Sequence, residues 1–133
     1  RMDLYMGPAE PASQRVFVRS VKIGLGDPAI STTPEGEFVI RKNSKLVNPT
    51  WVNPKTGEKF GADDPKNPIG ERWLGLEGLG DAAAFVGFGI HGTIDPGSVG
   101  QQRSMGCVRL LQDDVELVYE LLTEGVSHVT IRP

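Results

Sequence analysis

At 133 residues, 38% of them hydrophobic and 23% charged, the chain has the size of one domain able to bury its own core. A net charge of −3 excludes a basic nucleic-acid-binding surface as the leading reading, and a single cysteine excludes a disulfide scaffold. The longest nearly uncharged apolar run, Ala82–Ile90, includes Gly87 and Gly89 and is too short to span a bilayer, so no transmembrane segment is expected.

In chain order, Arg1–Met6 alternates loosely as a first strand. It starts as if in mid-strand, with no signal peptide visible, and reads as a piece of a longer chain. After the loop Gly7-Pro8-Ala9-Glu10-Pro11, Arg15–Leu25 alternates more clearly, with Val16, Val18 and Ser20 on one face and Phe17 and Val21 off it. Gly24, Gly26 and Asp27-Pro28 end that run. Ser31–Gly36 is a polar turn, and Glu37–Lys42 returns as a strand in which Phe38 and Ile40 alternate against Val39. From Asn43 to Asn67 the pattern dissolves. Pro49, Pro54, Pro65 and Pro68 exclude a long helix there, and a connection of this length is a candidate lid or cleft wall.

Arg72–Leu76 and Phe85–Ile90 read as strands. One helix is expected near the C-terminus, with Asp113 as its cap and Glu116 in the capping-box position. Val115, Val118, Leu121 and Leu122 form its apolar stripe, and Gly125 is its stop. Ser127–Arg132 closes the chain as a strand on Val129 and Ile131. The class is mainly β (α+β): a single domain over residues 1–133 with one main helix.

The chemistry concentrates between Ile90 and Leu110. His91-Gly92-Thr93 ends a strand, and Ser104-Met105-Gly106-Cys107-Val108-Arg109 follows a Pro/Gly-rich loop. A free thiol with a pKa of about 8.5 is only a few per cent thiolate at neutral pH. A neighbouring imidazole can take its proton and later return it to a leaving amine. Backbone N–H groups beside such a nucleophile can hold an oxyanion, and Gly106 lets a substrate carbonyl come close. Two histidines and one cysteine give no ligand spacing for zinc, so no metal and no cofactor are expected.

These residues resemble the signature of the L,D-transpeptidase catalytic domain (YkuD type). That signature is apolar-His-Gly-Thr, then about sixteen residues later Ser/Thr-His-Gly-Cys-apolar-Arg/Asn. Here His91 and Cys107 are 16 apart, and Ser104, Gly106, Val108 and Arg109 match. Ser31–Phe38 is similar to the family's Thr-Pro-Glu-Gly-x-Phe turn, and Asn67-Pro68-Ile69-Gly70 with Trp73-Leu74 to its Asn-Pro-apolar-Gly…Trp segment. The likeness runs from about Val21 to the end. Met105 departs from it, standing where the family usually has a second histidine.

The resemblance implies a β-rich catalytic fold and a cell-wall cysteine acyltransferase. By it, Cys107 is the nucleophile, His91 the general base and acid, and the Gly92 carbonyl the orienter of the imidazole. The N–H groups of Met105, Gly106 and Cys107 are the oxyanion donors. Arg109 binds a substrate carboxylate, and Ser104 and Thr93 shape the site. The implied partner is a peptidoglycan stem peptide with a diamino acid third and D-alanine fourth, which places the protein in the cell envelope or periplasm. With water as acceptor the same site is an L,D-carboxypeptidase or endopeptidase. With catalysis lost it is a peptidoglycan-binding domain.

Each of these residues also has a plainer reading. A lone cysteine is more often a small buried hydrophobe, and a histidine on an apolar strand is more often a core residue. Arg109 could pair with Asp113 or Asp114 on the surface. Trp73 reads as core and His128 as structural.

Overall fold

Alternation in the central strands builds a sheet with two unlike faces. In a computed structural model describing residues 1–133, the elements follow in order: β1 Met2–Met6, β2 Val16–Val21, β3 Leu25–Gly26, β4 Gly36–Ile40, β5 Leu46–Val47, β6 Trp51–Val52, β7 Lys59–Phe60, β8 Arg72–Gly78, β9 Gly89–His91, β10 Gln102–Ser104, β11 Val108–Arg109, α1 Gln112–Leu121 and β12 His128–Ile131. The main sheet has the order β11-β9-β8-β4-β12, with β5 also pairing to β8. All its pairings are antiparallel except β9 with β11, which is parallel.

Side chains alternate across a strand, so register assigns every residue to a face. Phe38, Ile40, Leu74, Leu76, Ile90 and Val108 point one way and are buried together with Val115 and Val118 of α1. A helix with an apolar stripe is what such a face needs in order to leave water. The other face carries Trp73 opposite His91, His91 opposite Arg109, and Gly75 opposite Gly89. Cys107 lies one residue before β11 and therefore beside Gly89.

Three flanking pieces complete the frame. β1 and β2 form a separate antiparallel hairpin, and β3 pairs in parallel with β10. β6 and β7 form a small hairpin in which Trp51 stacks on Phe60 at 5.9 Å between ring centroids.

Several elements differ from the expectation. Phe85–Ile90 is a strand only from Gly89, because a 3-10 turn at Gly80–Ala84 and the positive φ of Gly87 (81°) carry Phe85–Gly87 away from β8, which the chain rejoins where Phe88 O accepts from Leu76 N at 2.9 Å. The helix begins at Gln112 with Leu111 as its N-cap and no capping side chain; Asp113 lies inside the first turn. Asp113 instead favours the positive end of the helix dipole. The helix ends at Leu121, and Gly125 turns the chain four residues later, its N–H donating to Ile40 O. Val16, Phe17 and Val18 are all exposed, because the β1–β2 hairpin has no layer against either side there. The Asn43–Asn67 stretch holds three two-residue strands, so short that no alternation could register in sequence.

Candidate active site

His91 ends β9 as the third of three fully enclosed residues and is only 5% exposed. Its Nδ1 lies 2.5 Å from the Gly92 carbonyl. A carbonyl can only accept, so this contact puts the proton on Nδ1 and leaves Nε2 as the free base. The Trp73 indole stacks on the imidazole at 5.6 Å between centroids and 15° between planes. Burial drives the His91 pKa down to about 4, aided by the Arg109 charge and opposed by the bond to Gly92. The imidazole is therefore neutral at pH 7.

The turn behind His91 is held from the other side. Asn67 is buried and donates Nδ2 to Pro49 O at 2.8 Å, while its Oδ1 accepts from Ile69 N. A Cβ on Gly70 would lie 3.0–3.2 Å from the Gly92–Thr93 backbone, so this turn packs directly on the residue that orients the ring. Thr93 bonds within its own loop, its Oγ1 accepting from Asp95 N at 3.0 Å.

Cys107 is partly enclosed at the head of β11. Its position next to Gly89 puts it on the same sheet face as His91, one strand across and two residues back. Burial pushes the thiol pKa up, while the Gly89 backbone and the Arg109 charge pull the other way. The resting pair is thus thiol and neutral imidazole.

Ser104 folds the loop ahead of the thiol. Its Oγ donates to Cys107 O at 2.6 Å and accepts from Gly106 N at 3.2 Å. The Gly106 N–H is therefore engaged, whereas Met105 and Cys107 N–H donate to no protein acceptor. Gly106 has φ +112°, a backbone state closed to larger residues, and a Cβ there would lie 2.5 Å from the Phe88 ring. Phe88 and Ser31 thus pack against the backbone one residue before the thiol.

Arg109 stands opposite His91 and forms no ion pair with Asp113 or Asp114. Its backbone is locked to Gly24 in both directions, at 2.8 and 2.9 Å. The side-chain Nε is buried without a partner, and burial lowers the guanidinium pKa, opposed by Asp95 and Cys107. A buried donor without an acceptor is costly. No cluster of three or more His, Cys, Asp or Glu side chains is placed to hold a metal.

The sequence missed two residues on this face. Trp73 reads as core, yet it is out of phase with Leu74 and Leu76, and that phase was a usable signal for its place against His91. Arg41 carries no motif; only the register of β4 with β8 brings it to Gly75.

Comparison with known proteins identifies the family of the fold. The L,D-transpeptidase catalytic domain model (YkuD) matches residues 12–131. YqjB of Bacillus subtilis, provisionally named an L,D-transpeptidase, is 34% identical over 108 residues, covering 81% of this chain and 55% of that protein. Among solved structures, an L,D-transpeptidase from Mycobacterium smegmatis superposes with a TM-score of 0.63 at 18% identity, covering 88% of this chain and 50% of that one. L,D-transpeptidase 3 from Mycobacterium tuberculosis gives 0.62 at 19% identity, with 97% and 52% covered. The chain thus spans about half the length of the relatives it matches.

Proposed function

The chain belongs to the L,D-transpeptidase catalytic-domain family, and from that footing we propose that it is a peptidoglycan L,D-transpeptidase acting through a Cys107 thioester. The observation that carries the reading is the shared face of Cys107 and His91, with His91 fixed as an Nε2 base by Gly92.

In this mechanism the thiol attacks the carbonyl carbon of the third residue of a tetrapeptide stem, and His91 Nε2 takes the thiol proton. The resting pair is neutral, so proton transfer accompanies attack, and the Arg109 cation favours the sulfur anion as it forms. The unengaged N–H groups of Met105 and Cys107 face the developing oxyanion. Each such donor is worth about 3–4 kcal/mol in other acyl-transfer enzymes. Gly106 N–H stays with Ser104 and fixes the loop that presents the other two. Because these donors are backbone groups, Met105 supplies what a histidine at that position would.

Collapse of the intermediate breaks the amide bond and expels D-alanine, whose amine takes the proton from His91. A second stem's amine then attacks the thioester, gives its proton to His91, and forms a 3→3 amide as the thiol is restored. Such a substrate places the protein in the cell envelope. No helix here is long and apolar enough to cross a membrane.

The test is incubation with a disaccharide-tetrapeptide, with and without a D-amino acid acceptor, followed by mass spectrometry. Released D-alanine with dimers or exchanged stems is expected, and Cys107→Ala lowers the rate by on the order of ten-thousand-fold or more. Tripeptide alone moves the assignment to a carboxypeptidase. No turnover by the reduced protein removes the catalytic claim.

A further inference from the structure

Residues 48–71 run from β5 to β8 and come back beside His91, since Gly70 packs on the Gly92–Thr93 backbone. A segment of that length with little regular structure is held rigid only if both its ends are fixed. Both ends are fixed, and by the same helix.

At the start, Lys45 Nζ donates to Leu122 O at 2.8 Å, a carbonyl that the end of α1 leaves without an intrahelical partner. Just before it, Ser44 N donates to Glu124 Oε2 at 2.8 Å. At the other end, Arg72 meets Glu116 Oε1 at 3.9 Å. Gln112 Nε2 reaches both Glu116 Oε1 at 2.9 Å and Glu71 Oε2 at 3.3 Å. Gln112, Glu116 and Tyr119 follow at helical spacing and so form one stripe along α1.

Tyr119 joins the two ends. Lys45 Nζ stands 4.3 Å from its ring centroid, and Arg72 Cζ stands 5.6 Å from the same centroid. Two cations gathered at one place repel each other, and the negative face of the ring offsets that repulsion. The Arg72 side chain is only 21% exposed, so salt and water screen its contact less than they would a surface pair. Both contacts are with the ring, and neither uses the hydroxyl.

The Arg72 end leads directly to the site. Arg72 O accepts from Gly92 N at 3.4 Å, and Gly92 O is the acceptor that holds His91 Nδ1. The Lys45 end leads there through β5, where Leu46 stands opposite Trp73, the ring that stacks on His91. We propose that Tyr119 is a positioning residue: its ring clamps Lys45 and Arg72 together, fixing residues 48–71 beside the site and the Gly92 carbonyl that orients His91. Lys45 bears on the segment and Arg72 on the base, so the two cations divide substrate grip from proton transfer. The consequence for turnover rests on the transpeptidase reading; the clamp itself does not.

The experiment follows amide hydrogen exchange by NMR in the parent, Tyr119→Leu and Tyr119→Phe. Leucine keeps an apolar side chain of good helix propensity without the ring face; phenylalanine keeps the face without the hydroxyl. The Asn48 amide, bonded to Glu71 O, and the Gly92 amide, bonded to Arg72 O, report on the clamp. The Ile40 amide, bonded to Ser127 O, reports any general loss of stability. In Tyr119→Leu the first two are expected to exchange about ten-fold faster relative to Ile40, and Tyr119→Phe to match the parent. In the turnover assay, Lys45→Met raises KM several-fold at the parent kcat, Arg72→Met lowers kcat at nearly the parent KM, and Tyr119→Leu does both. Equal acceleration at all three amides would reduce Tyr119 to core packing and overturn the clamp. Failure of Tyr119→Phe to restore the parent pattern, or the same KM and kcat changes in Lys45→Met and Arg72→Met, overturns it too. Exchange needs no substrate. Selective exchange in a protein without turnover removes the transpeptidase reading alone, and turnover without selective exchange removes the clamp alone.

Discussion

Phe38, Ile40, Leu74, Leu76 and Ile90 on one side of the central sheet, and Arg41, Trp73, Gly75, Gly89 and His91 on the other, come from alternate positions of the same stretches of chain. The first set is closed off by α1 and is 0–3% exposed. The second set has no helix over it. Its two glycines leave a floor across which Trp73 and Arg41 lie. The difference teaches that stability and chemistry are separated here by one residue of phase. A substitution's neighbour in sequence therefore says less about its effect than its side of the sheet does.

The largest effect expected on the packed side is that of Phe38→Ala. Phe38 is fully buried at the centre of the core cluster, so its truncation costs about 3–5 kcal/mol, or roughly 10–20 °C in Tm. Turnover per folded molecule, measured well below the transition, stays near the parent value. If Tm held and activity fell, the division between the faces would be wrong.

His91 gives the site face a stability signature of its own. Its folded pKa of about 4 lies below the ordinary imidazole value of about 6.5, so the unfolded chain binds the extra proton first. Stability is therefore complete above about pH 6.5, is lost as pH falls through that window, and is lower by about 3 kcal/mol below pH 4. His91→Asn cannot titrate there. The difference between parent and variant in urea unfolding, followed from pH 7 to 4, isolates this group from the carboxylates. Parallel curves would mean that the ring is not buried neutral.

How much of this was legible depended on whether the signal was local. Cys107 and His91 were readable because their spacing and flanks are carried by a few adjacent residues. β4 and β8 were readable because Phe38 with Ile40 and Leu74 with Leu76 keep strict alternation. What escaped was set by tertiary pairing. Asp113 has the right identity and spacing for a cap, yet the chain enters the helix two residues earlier, from Leu111, because Leu110 is drawn into the core and bonded to His91 O. Phe85–Gly87 looks like strand on composition, but the space beside the end of β8, at Gly78, is taken by the Gly80–Ala84 turn. Arg41 could not be singled out at all, since its partners on the sheet, Gly75 and Glu77, lie more than thirty residues away.

The smallest expected effect is the sharpest probe of the boundary between the faces. In Gly89→Ala one methyl enters the site face, where it meets Trp73 Cζ2 at 2.5 Å, Cη2 at 2.6 Å and the Leu74 carbonyl at 2.8 Å. The indole must slide off His91, while the core face of β9, carried by Ile90, is untouched. Stability falls by about 1–2 kcal/mol through overpacking, and turnover by about ten-fold as the imidazole loses the ring that fixes its plane. Trp73→Ala removes the same stacking partner by a different route. If both substitutions act through that one contact, the double variant loses no more activity than Trp73→Ala alone, because the added methyl then enters space the indole has vacated. Additive losses would mean instead that the methyl acts through the Leu74 carbonyl, by spreading β8 from β9 and shifting His91 itself.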